Sequence, residues 1–232
     1  MVIPVRRRPG ALPIVAALIA MVASTAPSFA QGEPRTWELG VQLGAAGDSR
    51  NPGWFGARFR GAAQQALTAS AALDLVRIGP AAIRYVAHVE PLVRLGDVEH
   101  HASLGTLDLA DGDPASLFRL YAVGGRTTVW GAALVPFGLA LDARLHSRFR
   151  LQAASGLGIA AFTRHVPSAG ARQRNFVAQL EASALVRLDA TRWLEAGVRW
   201  RHLSNGNTAW ENPGLDSRLV VLGLRWQRAS GR

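Results

Sequence analysis

Residues 194–204 read LEAGVRWRHLS, a stretch in which apolar side chains recur at every second position. The even-numbered residues from Leu194 to Trp200 are apolar, whereas the odd-numbered ones are glutamate, glycine and arginine. A period of two is that of a β-strand, so the stretch predicts a strand with one apolar and one polar face. His202 and Ser204 continue the even series, with Cα atoms roughly 6.6 Å apart on the same face.

Seven further runs show the same alternation, at residues 37–44, 67–75, 83–94, 137–146, 149–159, 175–187 and 220–227. Most of the eight runs exceed the roughly 5–6 residues usual for strands of soluble proteins. Long strands in an even number predict an all-β fold, an eight-stranded antiparallel transmembrane outer-membrane β-barrel. The alternative is a secreted β-sandwich or a lipocalin-like barrel.

The polar face of these runs argues against the soluble alternative. It carries charged and small side chains, which suit the narrow lumen of an eight-stranded barrel filled by side chains. We therefore predict that several charged residues are luminal ion-pair partners rather than catalysts: Arg84, His88, Glu90, Glu181 and Arg187.

Residues 1–30 have the features of a secretory signal peptide. Arg6 to Arg8 form a positive region, residues 11–23 are apolar, and Ser28-Phe29-Ala30 offers small residues for cleavage before Gln31. We predict a single barrel domain over residues 31–232. No later run reaches the ~20 apolar residues of a transmembrane helix. We therefore expect the protein to be exported and to reside in the outer membrane of a Gram-negative cell.

The composition bounds the partners. The chain has 232 residues, a formal charge of +10, arginine as its only strong base and no cysteine, which excludes disulfides and thiolate metal sites. The leader holds three arginines and no acid, so the remaining charge is +7. A basic surface suits a polyanion such as nucleic acid or the phosphates of a lipid surface. With a leader present, we expect the lipid and no nucleic acid; an arginine-biased composition is the plainer alternative.

The connections between runs alternate in length. Long ones cover about residues 47–66, 96–127, 165–173 and 206–215, and short ones lie near Gly79-Pro80, Ser147 and Asp189 to Thr191. Outer-membrane barrels have short periplasmic turns and long external loops. We therefore expect the connection between the last two strands, which follows His202 and Ser204, to lie at the cell surface.

The last strand places a carboxylate near these two residues. Asp216 has the parity of the apolar face, so in an antiparallel hairpin it lies opposite an even residue such as His202 or Ser204. Nucleophile, base and carboxylate are the parts of a serine hydrolase. Polar groups on a lipid face are costly, and a lipid substrate would explain them. The alternative is that they are rim residues wetted by headgroups.

The spacing of these residues resembles the PagL family of outer-membrane lipid A 3-O-deacylases. The family pattern is His-x-Ser-Asn, then Asn, Gly and an acid at fixed distances, and this chain matches it at His202, Ser204, Asn205, Asn212, Gly214 and Asp216. The resemblance implies an enzyme that removes an ester-linked acyl chain from lipid A in the outer leaflet. The usual acid is Glu, so Asp216 is a departure that is one methylene shorter.

The resemblance also implies a role for each residue. Ser204 is the nucleophile, His202 its general base, and Asp216 orients the imidazole. Asn205, with backbone N–H groups of Gly206 and Asn207, forms the oxyanion hole. In addition, Asn212 braces the loop.

Several further expectations concern ligands and assembly. We expect no metal or other cofactor; Glu99, His100 and His101 could suggest a metal site, but a solvated loop is the favoured interpretation. Basic residues of the predicted external loops could meet lipid A phosphates: Arg50, Arg58, Arg60, Arg172 and Arg174. The oligomeric state stays open, with a homodimer as one possibility.

Two other functions remain as alternatives to the deacylase. One is a non-catalytic small barrel, structural or adhesin-like, and the other is a phospholipase of the same chemistry. The sequence leaves open the acyl position and chain length cleaved, and whether activity is latent in the native membrane.

Overall fold

A computed structural model describes residues 36–47, 49–50, 63–99, 126–167, 171–209 and 214–229. The predicted leader, residues 1–30, lies outside them. The strands are β1 Thr36–Ala46, β2 Ser49–Arg50, β3 Ala63–Ile78, β4 Ala81–Glu99, β5 Arg126–His146, β6 Phe149–Val166, β7 Arg172–Arg187, β8 Arg192–Ser204 and β9 Leu215–Ala229. Within the described ranges, no helix has the length and hydrophobicity needed to cross a bilayer.

Eight long strands form one closed antiparallel sheet. Each pairs with its neighbour in chain order from β1 and β3 through β9, and β1 pairs with β9 to close the barrel. The two-residue strand β2 adds to the edge of β9. The predicted eight-stranded transmembrane β-barrel is confirmed. A closed sheet also excludes the two-sheet sandwich.

Short turns join the strands at one end of the barrel, which we call the turn end. They lie at Gly79-Pro80, Ser147-Arg148 and residues 188–191, as the sequence predicts. Gly79 has φ +57°, a backbone conformation that glycine adopts without a Cβ clash. The opposite end, which we call the loop end, carries the connection from β8 to β9.

The outer wall is apolar. Large side chains with the predicted parity are exposed along most strands, for example Phe137 at 72% and Leu157 at 60%. Such a wall would be unstable in water but matches the hydrocarbon of a bilayer. The period-two pattern therefore predicts which face meets lipid along most of the wall.

Bulges shift this parity in two strands. The pairing of β4 with β5 is interrupted between Val86 and His88 and again between Glu90 and Val93. The sequence pattern assigned Val93 to the outer face, which is wrong, because Val93 is buried inside the barrel. A bulge adds one residue to one strand and so moves every later side chain to the opposite face.

A network of ion pairs fills the middle of the lumen. Arg84 contacts Asp74 at 2.7 Å, Arg199 contacts Glu181 at 2.6 Å, and Glu90 pairs with Arg199 at 3.2 Å and with Arg201. The luminal prediction for Arg84, Glu90 and Glu181 is thus confirmed. Because these charges are buried, each guanidinium needs its carboxylate to offset the loss of solvation.

Two of the predicted ion-pair partners have other contacts. His88 is buried in the lumen, but its Nδ1 hydrogen-bonds the Gln179 amide at 2.8 Å. The prediction for Arg187 is wrong: its guanidinium is exposed at the turn end and donates to the carbonyls of Asp189 and Ala190. Arg187 pairs with the buried Trp193, and its guanidinium lies 5.6 Å from the centroid of that ring. It therefore has luminal parity but lies at the open turn end rather than among the luminal carboxylates.

Apolar side chains line the lumen toward the loop end. They form one buried cluster that includes Leu95, Val129, Leu203, Leu215 and Leu219. Toward the turn end, the buried Trp193 lies under the guanidinium of Arg150, 4.5 Å from its ring centroid. The interior is therefore a packed core with distinct polar and apolar layers.

Candidate active site on the lipid-facing wall

A histidine and a carboxylate meet on the outer wall at the loop end. In the β8–β9 ladder, His202 lies directly opposite Asp216, so the predicted register is confirmed. Nδ1 of His202 lies 2.7 Å from Oδ1 of Asp216, and their side chains are 31% and 26% exposed. The carboxylate thus holds one ring nitrogen and leaves Nε2 on the other side of the imidazole. Both residues have the parity of the lipid-facing side chains.

Ser204 lies two residues further along β8, on the face that carries His202. Its Oγ accepts a hydrogen bond from the backbone N–H of Gly206 at 3.1 Å. Ser204 pairs across the ladder with Phe176 of β7, and His202 pairs with Ala178. The hydroxyl therefore lies at the top of the wall, where the strand gives way to a turn.

That turn comprises residues Asn205 to Thr208. The Thr208 N–H donates to the Asn205 carbonyl at 3.2 Å, and Gly206 and Asn207 have φ of +62° and +59°. Positive φ at both central residues is the property of a type I′ turn, for which Asn and Gly are favoured. The two predicted backbone donors therefore belong to one tight turn beside Ser204.

The sequence pattern contains two asparagines, Asn205 and Asn212. Asn205 is only 2% exposed and has the odd parity of the luminal residues Arg201 and Leu203. It is therefore on the opposite side of β8 from His202 and Ser204, although its carbonyl shapes the turn. Asn212 lies outside the described residues.

Gly214 packs against the imidazole. Its φ is +66°, and a Cβ at this position would lie 2.9 Å from Cε1 of His202. A side chain here would meet both backbone strain and a steric clash with the ring. The sequence pattern contains this glycine, but only the structure reveals why a larger residue would not fit.

A groove in the outer wall begins beside the histidine. The Trp200 ring stacks on His202 with centroids 6.0 Å apart and planes 16° from parallel. From Trp200 the groove crosses β7, β6 and β5 to Tyr85 on β4, with a volume of about 610 Å³. It is lined by Tyr85, Phe137, Gly138, Leu139, Ser155, Gly156, Leu157, Ala178, Gln179, Leu180 and Trp200. This volume is in the range of small-molecule sites.

The sequence also indicated arginines that could contact phosphates and histidines that could bind a metal. The Arg172 guanidinium donates to the carbonyl of Thr208, and Arg174 is exposed. Arg50 pairs through its backbone with Asp216. Arg58, Arg60, His100 and His101 lie outside the described residues. Among the residues that are described, no group of three or more His, Asp or Glu is placed to hold a metal ion.

Fold and site together define a class: an outer-membrane β-barrel that carries a serine, a histidine and an aspartate on its lipid-facing wall. The family model of the lipid A 3-O-deacylases (PagL) matches residues 108–225, just over half of the chain, and the protein belongs to this family. The matched region includes β5 to β8 and most of β9, and thus His202, Ser204, Asp216 and the turn between them. No curated protein sequence matches the chain.

Solved outer-membrane barrels are similar to this chain at low identity. The outer membrane enzyme PagL is 12% identical, with 80% of this chain and 97% of that one covered and a TM-score of 0.48. Neisserial surface protein A is 12% identical, with 84% and 99% covered and a TM-score of 0.47. Ail of Yersinia pestis is 8% identical, with 84% and 100% covered and a TM-score of 0.44. Function does not follow from fold similarity of this kind.

Proposed function

We propose that the protein hydrolyses the ester-linked 3-O-acyl chain of lipid A by a Ser204–His202–Asp216 mechanism. The observation that carries the proposal is the 2.7 Å contact between His202 Nδ1 and Asp216 Oδ1 on the lipid-facing wall, with Ser204 on the same face. Membership of the lipid A 3-O-deacylase family supports the substrate. The outer leaflet is where both the site and lipid A would be found.

The chemistry is acyl transfer to the enzyme and then to water. Nε2 of His202 takes the Ser204 proton as Oγ attacks the ester carbonyl carbon, and Asp216 stabilises the resulting imidazolium. Collapse of the tetrahedral intermediate breaks the bond to the sugar oxygen, which receives the proton from His202. Water, deprotonated by His202, then cleaves the acyl-enzyme to release the fatty acid.

The turn after Ser204 is the proposed source of oxyanion stabilisation. The Gly206 N–H already donates to Ser204 Oγ, and the Asn207 N–H follows it in the same turn. The sequence pattern also suggests the Asn205 amide for this hole. Because that side chain is buried on the luminal side of β8, away from Ser204, we assign the hole to the backbone N–H groups of the turn instead.

The groove offers a place for the acyl chain. It starts at Trp200, which stacks on His202, and its lining is mostly aliphatic and aromatic. An acyl chain lying in it would keep its ester at the strand that carries His202 and Ser204. An acyl chain that moves from the bilayer into the groove exchanges lipid contacts for protein contacts, so its solvation changes little. Selectivity for chain length would then come from how well the chain fits the groove.

Mass spectrometry of lipid A tests the function. Wild-type protein, expressed in a Gram-negative host that retains its 3-O-acyl chains, should shift lipid A down by one hydroxyacyl group. Ser204→Ala should abolish the shift, whereas the exposed turn variant Ser147→Ala should keep it. Unchanged lipid A despite folded wild-type protein would overturn the proposal. Consumption of phospholipid by that protein would then indicate a phospholipase, and no turnover of either lipid a non-catalytic barrel.

A further inference from the structure

The turn beside Ser204 is held in place from two sides. From within, both the N–H and the hydroxyl of Thr208 donate to the Asn205 carbonyl, at 3.2 and 2.7 Å. From outside, the guanidinium of Arg172 donates to the Thr208 carbonyl through Nε at 3.0 Å and Nη2 at 2.7 Å. Arg172 is the first residue of β7, so the contact connects the turn to the neighbouring strand.

Arg172 is itself held by a hydrogen bond from a buried residue of the same strand. The side-chain amide of Asn175 donates to the carbonyl of Arg172 at 3.2 Å, and Asn175 is 3% exposed. On the other side of the turn, a Cβ at Gly206 would lie 2.7 Å from the Phe176 ring. The turn therefore packs between an aromatic ring below it and a charged double donor beside it.

We propose that Arg172 is a positioning residue for the proposed deacylation, because it fixes the turn that presents the Gly206 N–H to Ser204. Hydrogen bonds from a charged donor are stronger than neutral ones, and two on one acceptor also fix its orientation. The start of the turn is held because it directly follows β8. Without Arg172, the position of Thr208 at the other end would depend on the hydrogen bonds within the turn. This inference rests on the proposed function and adds a residue to it.

An alternative role for Arg172 is direct contact with a lipid A phosphate, and kinetics on two substrates separates the roles. We compare lipid A with a short p-nitrophenyl ester, which has no phosphate, in the same detergent micelles. Arg172→Ala should lower kcat about tenfold to a hundredfold on both substrates, with little change in KM, since an ångström-scale misplacement of catalytic groups costs up to this much. Arg172→Lys, which keeps one donor group, should fall between alanine and wild type.

A matched control is Arg164→Ala, which removes an exposed arginine at the same end of the barrel, on β6. Its kcat on both substrates should stay within about twofold of wild type. A rise in KM for lipid A alone after Arg172→Ala, with normal kinetics on the ester, would overturn the positioning role in favour of phosphate contact. Unchanged kcat on both substrates would also overturn it.

Amide hydrogen exchange tests the anchoring without reference to activity. In folded protein in micelles, Arg172→Ala should speed exchange at the N–H groups of Gly206 and Thr208 at least tenfold and leave those of mid-barrel strands unchanged. Unchanged exchange at the turn would refute the anchoring. Wild-type protein that is inactive on both substrates would instead refute the proposed function, while accelerated exchange in the variant would still establish the contact.

Discussion

Replacement of Asp216 by asparagine is the sharpest test of the candidate site, because it removes a charge and keeps the shape. The carboxylate oxygen lies 2.7 Å from His202 Nδ1. An asparagine carbonyl can still accept a hydrogen bond there. What is lost is the attraction between the carboxylate and the imidazolium that forms when His202 takes the serine proton.

The size of the loss follows from the geometry. Unit charges about 4 Å apart near a protein surface attract by ~4 kcal/mol at an effective dielectric constant of about 20. The two side chains are 31% and 26% exposed, so solvent and headgroups screen part of this. We therefore expect a loss of about 2–4 kcal/mol in the transition state, or a kcat lower by about 30- to 1,000-fold.

The assay is the initial rate of fatty-acid release from lipid A in mixed micelles, with folding checked by electrophoretic mobility of unheated samples. Asp216→Glu should retain more activity than Asp216→Asn, since it keeps the charge. Asp189→Asn, at an exposed turn on the opposite end of the barrel, is the control and should be within twofold of wild type. If Asp216→Asn keeps more than a third of wild-type kcat, the carboxylate does not assist the histidine and the reasoning fails.

Three further variants test other features. Gly214→Ala should fold but lower kcat about tenfold or more, because φ is +66° and the new Cβ would lie 2.9 Å from the imidazole; equal rates would contradict this. Ser155→Leu should fill the groove and lower kcat/KM for long-chain substrates more than for short ones, whereas Ala153→Leu on the same face should not, as a direct comparison of chain lengths would reveal. Arg199→Met should lower the free energy of unfolding in micelles by about 3–5 kcal/mol, as buried carboxylates lose their partner, whereas exposed Arg192→Met should cost less than about 1 kcal/mol; similar losses for both would refute the buried network.

Much of the fold could be predicted from sequence because lipid and lumen impose opposite demands on alternate residues. The pattern identified every long strand, although β5 begins at Arg126 rather than near Phe137. Its pairing with β6 shifts between Leu134 and Phe137, so the period-two pattern is interrupted inside the strand. The same effect places Val93 in the lumen. A count of alternating residues cannot anticipate bulges, which depend on the neighbouring strand.

The candidate site was predictable to the extent that it depends on local spacing. Parity along β8 and β9 predicted that Asp216 lies opposite an even residue such as His202 or Ser204, and the motif identified Gly214. The contact of Arg172 with the turn, and the groove, could not be predicted, for a physical reason. Both depend on which residues of other strands lie beside β8, and this is set by the closure of the barrel rather than by adjacent sequence.

The seam between the first and last strands has a consequence for how the chain enters the membrane. Glu38 of β1 contacts Arg225 of β9 at 3.2 Å, Arg150 of β6 at 2.5 Å and Arg84 of β4 at 3.4 Å. Before β1 meets β9, Arg150 and Arg225 would lack their contact with Glu38 and keep those with Asp142 and Glu195. A buried guanidinium with fewer carboxylates around it is less favourable. An open sheet in the membrane is therefore less stable than the closed barrel. We expect the pairing of β1 with β9 and the completion of the luminal ion pairs to occur together, as one cooperative step.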